Sequence, residues 1–175
     1  MRSLLNQIEK ALKSDLYYVA LFVSLSIPDI CGALESDNGE ADRKKYMQWF
    51  DKYVAPKYYR PSSPAVSAEQ MLTGEDCYHF RCSALHQGSS QKNGSRYSRY
   101  IFLPRPVQNF AGHCNVFNNA FHININTFCM DITESARKWL EEQEGTDTFK
   151  KNYNKMMREY PDGIEGIITG IPIIS

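Results

Sequence analysis

The sequence is short of the features that most quickly announce a function. It has no excess charge, since 20 lysines and arginines face 20 aspartates and glutamates in 175 residues, so composition as a whole does not point to nucleic acid. Its five cysteines are odd in number and contain no C-x-x-C spacing, which argues against a disulfide framework and for reduced thiols in a reducing compartment. It lacks an H-E-x-x-H pair, a phosphate-cradling glycine loop, a dinucleotide fingerprint and a serine-hydrolase elbow. The apolar run from Leu16 to Ile27 is too short to span a bilayer and is stopped by Pro28 and Asp29. Glu9 and Asp15 spoil the charge pattern of a signal peptide, and no small-residue cleavage site follows. The expectation is a cytoplasmic chain with no membrane partner. At this length it forms one domain over residues 1–175, enough for one core and too short for two ordinary domains.

A local absence says more. From Cys77 to Met130 there is no acid, although an even spread would place about six in that stretch. The same stretch holds Arg81, Lys92, Arg96, Arg99, Arg105 and all four histidines. Positive potential is thus concentrated in one part of a neutral chain, as a phosphate backbone would require. Tyr97 and Tyr100 interleave with Arg96 and Arg99, which predicts charge and stacking surfaces together for single-stranded RNA.

Most of the chain has helical periodicity. Leu4, Leu5, Ile8 and Leu12 mark an amphipathic first helix. Ser14 and Asp15 are expected to cap a second that is apolar on nearly every side, and so central in a bundle or pressed against a partner chain. Ser26-x-x-Asp29, with Pro28 between, predicts a fresh start or kink. A third helix over about 41–54 carries an aromatic stripe of Tyr46, Trp49, Phe50 and Tyr53, read as core. After a proline-rich connection, Ser67 is expected to reopen helix. Thr73 to Gly88 is a helix marked at both ends, by a Thr73/Asp76 capping box and a terminal glycine. Residues 89–126 are expected to be an inserted loop and β segment. Its strands lie near Tyr100–Leu103, bounded by Pro104 and Pro106, at Val116–Phe117 and over 121–125, with Asn118-Asn119 as a turn. Thr127 is predicted to cap a long helix to about Glu142, and Thr146 another that runs to Tyr160 and is ended by Pro161-Asp-Gly163. Residues 164–174 read as a terminal strand, with the insertion's sheet as one place for it to join. The fold class is therefore mainly α, a helical bundle with a small β insertion over about 99–126 and a C-terminal strand.

Two polar residues stand out on the marked helix: Arg81 and His86, in the run Arg81-Cys-Ser-Ala-Leu-His86. A guanidinium binds a phosphate bidentately, and an imidazole titrates near neutrality and can activate a 2′-hydroxyl. Five residues of helix amount to about 140° of rotation and about 7.5 Å of rise. The two side chains are therefore expected to diverge on one straight helix and to converge across a two-fold axis, one copy's arginine meeting the other's histidine. Tyr78 and Ser83, a turn or less from Arg81, are candidates to support the site or touch substrate, with Arg96 and Arg99 on the basic segment. Asp29 and Glu35 read first as a cap and a helix-end charge, and either is also a candidate to orient Arg81.

The spacing Arg81-x4-His86 late in a helix resembles the R-x4-6-H signature of the HEPN superfamily (higher eukaryotes and prokaryotes nucleotide-binding domain). The resemblance implies an α-helical bundle, usually a homodimer, and in many members a metal-independent endoribonuclease of toxin, phage-defence or RNA-processing systems. It implies that Arg81 holds a phosphate and His86 moves a proton. Catalytic members usually carry a polar residue after the arginine, where this chain has Cys82. A second reading therefore stands beside the first: a HEPN-like module that binds RNA or protein without cutting.

Other chemistries fit less well. His79, Cys82 and His86 share a helix face, and His113, Cys114, His122 and Cys129 follow. Yet His79 and His86 lie about 10.5 Å apart along the axis, too far to share an ion. Cys77 and Cys82 sit mid-helix, where thiols usually act as small inert hydrophobes. No metal and no small-molecule cofactor are expected. The expected partners are a second copy of the chain and RNA.

Overall fold

A computed structural model describes residues 1–64, 67–105 and 112–175. Six α-helices among them carry most of the core: α1 (Arg2–Lys13), α2 (Tyr17–Leu34), α3 (Arg43–Tyr53), α4 (Gly74–Gln87), α5 (Ile125–Gln143) and α6 (Asp147–Tyr153). The class is mainly α. Helix α2 is the centre, touching α1, α3, α4, α5 and α6. Leu5, Ile8 and Leu12 of α1 close over it, and the aromatic stripe of α3 is core as expected, with Tyr46, Trp49 and Phe50 buried.

Helix α2 departs from expectation at both ends. Leu16, not Ser14 or Asp15, precedes its first turn, and Asp15 has a left-handed φ of 56°. The Asp15 carboxylate accepts from the Tyr17 hydroxyl instead of capping the helix. Pro28 neither stops nor restarts the helix, which runs unbroken to Leu34. An interior proline costs about 3 kcal/mol. Burial of Leu25, Ile27, Cys31 and Leu34 on both sides offsets that cost, and the Ser26 hydroxyl donates to the Val23 carbonyl at 2.7 Å. Continued past Pro28, α2 has 18 residues of mean hydropathy 1.6, long and apolar enough by those measures to cross a bilayer. Half of it is buried against its neighbours, the position of a bundle's core helix.

Helix α4 forms as its sequence predicts. Thr73 Oγ1 accepts from the Asp76 amide at 3.1 Å, and Asp76 Oδ2 accepts from the Thr73 amide at 3.1 Å. Gly88 takes φ 62°, and the Gly88 and Ser89 amides donate to the Ala84 and Ser83 carbonyls. Gly74 lets α4 abut α3 backbone to backbone: a Cβ there would collide with the Met47 carbonyl. In front of α4, residue 67 is not helical. Two short strands, β1 (Tyr59–Arg60) and β2 (Glu69–Gln70), pair antiparallel there instead.

The inserted segment forms a three-stranded sheet of β3 (Arg99–Leu103), β4 (Asn115–Phe117) and β5 (Ala120–Asn124), in the order β3-β5-β4. Strands β4 and β5 are a hairpin turned by Asn118 and Asn119 at φ 49° and 56°, the left-handed pair a two-residue turn demands. Strand β3 runs parallel to β5. The part of the insertion at 106–111, including the bounding Pro106, lies outside the described residues. The sheet is seated on α4 through Phe80, whose ring centroid is 4.8 Å from Tyr100 and 5.2 Å from Phe102.

Three expectations toward the C-terminus are corrected. Helix α5 begins straight out of β5, and its cap is Asn124, which accepts from the Thr127 amide at 3.0 Å. Thr146 caps α6, but that helix stops at Tyr153, leaving Met157 exposed. The last residues form two small ladders, β6 (Glu159–Tyr160) with β9 (Ile173–Ile174) and β7 (Gly163–Ile164) with β8 (Ile168–Thr169), apart from the insertion's sheet. Glycines at 163, 166 and 170 have positive φ and turn the chain back repeatedly, too tightly for one strand.

Candidate functional site

Arg81 and His86 meet within one chain. Arg81 Nη1 lies 3.1 Å from His86 Nε2, which corrects the expectation that one helix must hold them apart. Helix rotation parts two side chains only where both stand out as radial spokes. In fact a histidine in the last turn leans back toward the helix N-terminus, and an arginine is long enough to cross the intervening surface. Since guanidinium has no acceptor, Nε2 accepts here and the ring proton is assigned to Nδ1.

The other side of the guanidinium belongs to α2. Asp29 Oδ2 accepts from Arg81 Nε at 2.8 Å and lies 2.7 Å from Nη2. Asp29 is thus the carboxylate that orients Arg81. Glu35 is not: it accepts from Trp139 Nε1 at 2.7 Å and ties α2 to α5. Burial raises the pKa of Asp29, and the attraction of Arg81 only partly reverses it. Burial works against the Arg81 charge, but Asp29 and Cys82 together outweigh it and hold the guanidinium above its ordinary value. Asp29 therefore carries the cost of burial in this pair, and what it gives Arg81 is aim, since a guanidinium is charged in any case.

Tyr78 lies beside this line. Its ring faces two guanidiniums, with the Arg81 carbon 6.0 Å and the Arg43 carbon 5.7 Å from its centroid. Burial, then a hydrogen bond with Cys82, raises its pKa. Arg43 pairs with Glu75 at 2.5 Å and comes within 3.5 Å of His79 Nε2. Burial, with the positive charges of Lys92 and Arg43 nearby, lowers the pKa of His79. Arg43 was missed from sequence because it sits on another helix, far from the motif.

Several expected residues fall elsewhere. Ser83 is buried on the core side of α4 and is no part of the site. Arg96 donates to the Gln70 carbonyl at 2.7 Å and pairs with Glu69 and, at 3.7 Å, with Asp76, so it anchors the insertion to β2 and the α4 cap. Arg99 faces the side-chain amide of Gln91. Tyr97 and Tyr100 are buried, their hydroxyls donating to the Met71 and Asp76 carbonyls, and neither offers a stacking surface. The acid-free segment is thus partly neutralised by acids outside it. Among the described residues, no three His, Cys, Asp or Glu side chains gather as a metal-ligand set. Burial raises the thiols of Cys77 to about 12 and Cys129 to about 11.

Exposed rings are found on α2 instead. Tyr17, Tyr18, Leu21 and Phe22 wall an open cavity of about 370 Å³, with Phe80 of α4, its stop Gly88 and Phe102 of β3 opposite. Tyr18 is 80% exposed.

No protein-family model matches this chain, and neither the characterised proteins nor the solved structures contain a match to it.

Proposed function

We propose that this protein is a HEPN-like, metal-independent endoribonuclease that cuts RNA by attack of a 2′-hydroxyl on the adjacent phosphate. The observation that supports it is the Asp29–Arg81–His86 line, a half-buried cation aimed by a carboxylate and in contact with an exposed imidazole. In the free protein Arg81 Nη1 covers the lone pair of His86 Nε2. A phosphate oxygen competing for Nη1 uncovers that lone pair where a base is needed. Nε2 then takes the 2′-hydroxyl proton as the O2′–P bond forms, and Arg81 steadies the charge on the non-bridging oxygens. The P–O5′ bond breaks, O5′ takes the proton back from the imidazolium, and the products are a 2′,3′-cyclic phosphate and a 5′-hydroxyl. Asp29 is a positioning residue, since it acts through Arg81.

A second reading, an RNA-binding module without cleavage, is favoured by Cys82, whose Sγ lies 4.0 Å from Arg81 Nη1 where cutting members carry a more polar group. The test is bulk RNA incubated with wild type, Arg81→Ala and His86→Ala in excess chelator. Cleavage that persists under chelation and disappears in both variants is expected, with cyclic-phosphate ends. Equal background in all three refutes the nuclease. RNA binding retained by His86→Ala and lost by Arg81→Ala would then leave the binding module.

A further inference from the structure

We propose that the open aromatic cavity between α2, α4 and β3 is a base-binding slot for an unpaired nucleotide next to the phosphate held by Arg81. This rests on the RNA reading above and names the part of the substrate that reading leaves unspecified. Asp29 and Phe22 are seven residues apart on α2, nearly in line on one face and about 10.5 Å along the axis. Arg81 and Gly88, the stop of α4, are likewise seven positions apart. Asp29 meets Arg81 at one end of the α2/α4 seam, and Phe22 and Tyr18 share the cavity with Gly88 at the other. The polar line and the cavity therefore lie along one seam between α2 and α4.

The lining suits a flat heteroaromatic. Tyr18 and Phe22 stand edge to face with centroids 6.3 Å apart, exposed by 80% and 38%, over a floor of Phe80 and Phe102. Its volume falls within the range of small-ligand sites, roughly 300–1,000 Å³. Tyr17, Ser89 and Ser90 add polar residues to a mostly apolar wall. Charge frames the opening on both sides. Arg81 lies along the seam. At the other rim Arg105 follows the lining residue Pro104 and sits 3.9 Å from Asp15, the partner of the Tyr17 hydroxyl. An apolar aromatic slot between two guanidiniums fits a base flanked by its two phosphates, where rings supply stacking and cations follow the backbone. A second copy of this chain covering Tyr18 and Phe22 would need no such pair of cations.

The test uses the full chain and a short labelled 2′-O-methyl oligoadenylate, which cannot be cut, beside the same oligomer carrying abasic positions. Tyr18→Ala and Phe22→Ala should each weaken the base-bearing oligomer by about fivefold or more and leave the abasic one unchanged. Phe22→Tyr, which keeps the ring, should retain affinity, and Arg81→Ala should weaken both oligomers. Unchanged affinity in Tyr18→Ala and Phe22→Ala, or equal loss for both oligomers, overturns the slot while leaving the RNA reading intact. A fall in mass by light scattering in those variants assigns the patch to a second copy and also overturns it. Absence of wild-type binding to either oligomer removes the RNA reading and the slot with it.

Discussion

Replacing Asp29 by asparagine separates what the carboxylate costs the fold from what it does for Arg81. Its hydrogen bond from Arg81 Nε at 2.8 Å, with Nη2 ion-paired to the same oxygen at 2.7 Å, is of the charge-assisted kind that contributes roughly 1.5–3 kcal/mol. Taking a carboxylate out of water costs several kcal/mol, and the raised pKa of Asp29 shows that burial prevails there. Asparagine keeps an acceptor toward Arg81 Nε and removes the desolvated charge. The net change in stability at neutral pH should therefore lie within about 1 kcal/mol of zero. The sign of the pH dependence follows from the same shift. Folded Asp29 binds its proton more tightly than the unfolded chain, whose value is 3.8, so its ionisation lowers stability as pH rises from there through the raised folded value. Asp29→Asn lacks that decline, so the difference should move in its favour across the window and stay level above it. Affinity for an uncleavable oligonucleotide should meanwhile fall about tenfold, as a charge-assisted clamp becomes a neutral one. Urea unfolding at a series of pH values, with binding measured alongside, checks both halves. A loss of more than about 3 kcal/mol at neutral pH, or full affinity in the variant, would refute this division between cost and use.

Mixing Arg81→Ala with His86→Ala tests whether the pair works within one chain. A site shared between two copies would recover about one quarter of wild-type cleavage through mixed dimers, whereas the contact within α4 predicts none. Thiol titration of the folded protein should label Cys82 and Cys114 quickly and leave the buried Cys31, Cys77 and Cys129 until unfolding. Early reaction at Cys77 would contradict its packing. Gly74→Ala should cost about 2–3 kcal/mol in thermal unfolding, because the new methyl meets the α3 backbone and not a yielding side chain. His113 Nδ1 accepts from the Asn124 amide at 3.3 Å, and burial lowers its pKa below the ordinary 6.5. The folded state resists its protonation, so stability should drop as pH falls below 6.5, and His113→Gln should flatten that drop. An identical acid profile in the variant would exclude His113 as the cause.

The helices were legible where local chemistry closes on itself. The Thr73/Asp76 box, the Gly88 stop and the Asn118-Asn119 turn each involve residues within a few positions of one another, and each forms as read. Pro28 does not restart the helix because its cost is local while its compensation is not: the packing that keeps α2 continuous comes from five other helices. The acid-free run misled for a related reason. Glu69 and Asp15 lie outside the run and Asp76 at its very edge, yet they approach Arg96 and Arg105 in space, so charge counted along the chain overstated charge on the surface.

The site shows the same limit at shorter range. The pair Arg81 and His86 was visible as a spacing, and the geometry of an ideal helix pointed away from their contact. That geometry fixes where Cβ atoms leave the helix, not where a guanidinium several bonds further on comes to rest. Asp29 draws that group across the α4 surface toward α2, where its third nitrogen meets the returning imidazole. The contact is thus a product of α2 packing on α4, and Asp29 was one of two carboxylates the spacing left equal. Tertiary placement chose between them, giving Glu35 to Trp139 and Asp29 to Arg81. The same packing exposes Tyr18 and Phe22 further along the seam, since a helix apolar on every side must show some of its rings to solvent wherever its neighbours end. A core helix that carries both the orienting carboxylate and the exposed rings links bundle stability to the site. Substitutions on the α2 face at Phe22 and Asp29 should therefore affect binding more than folding, and those at Leu25 and Ile27 the reverse.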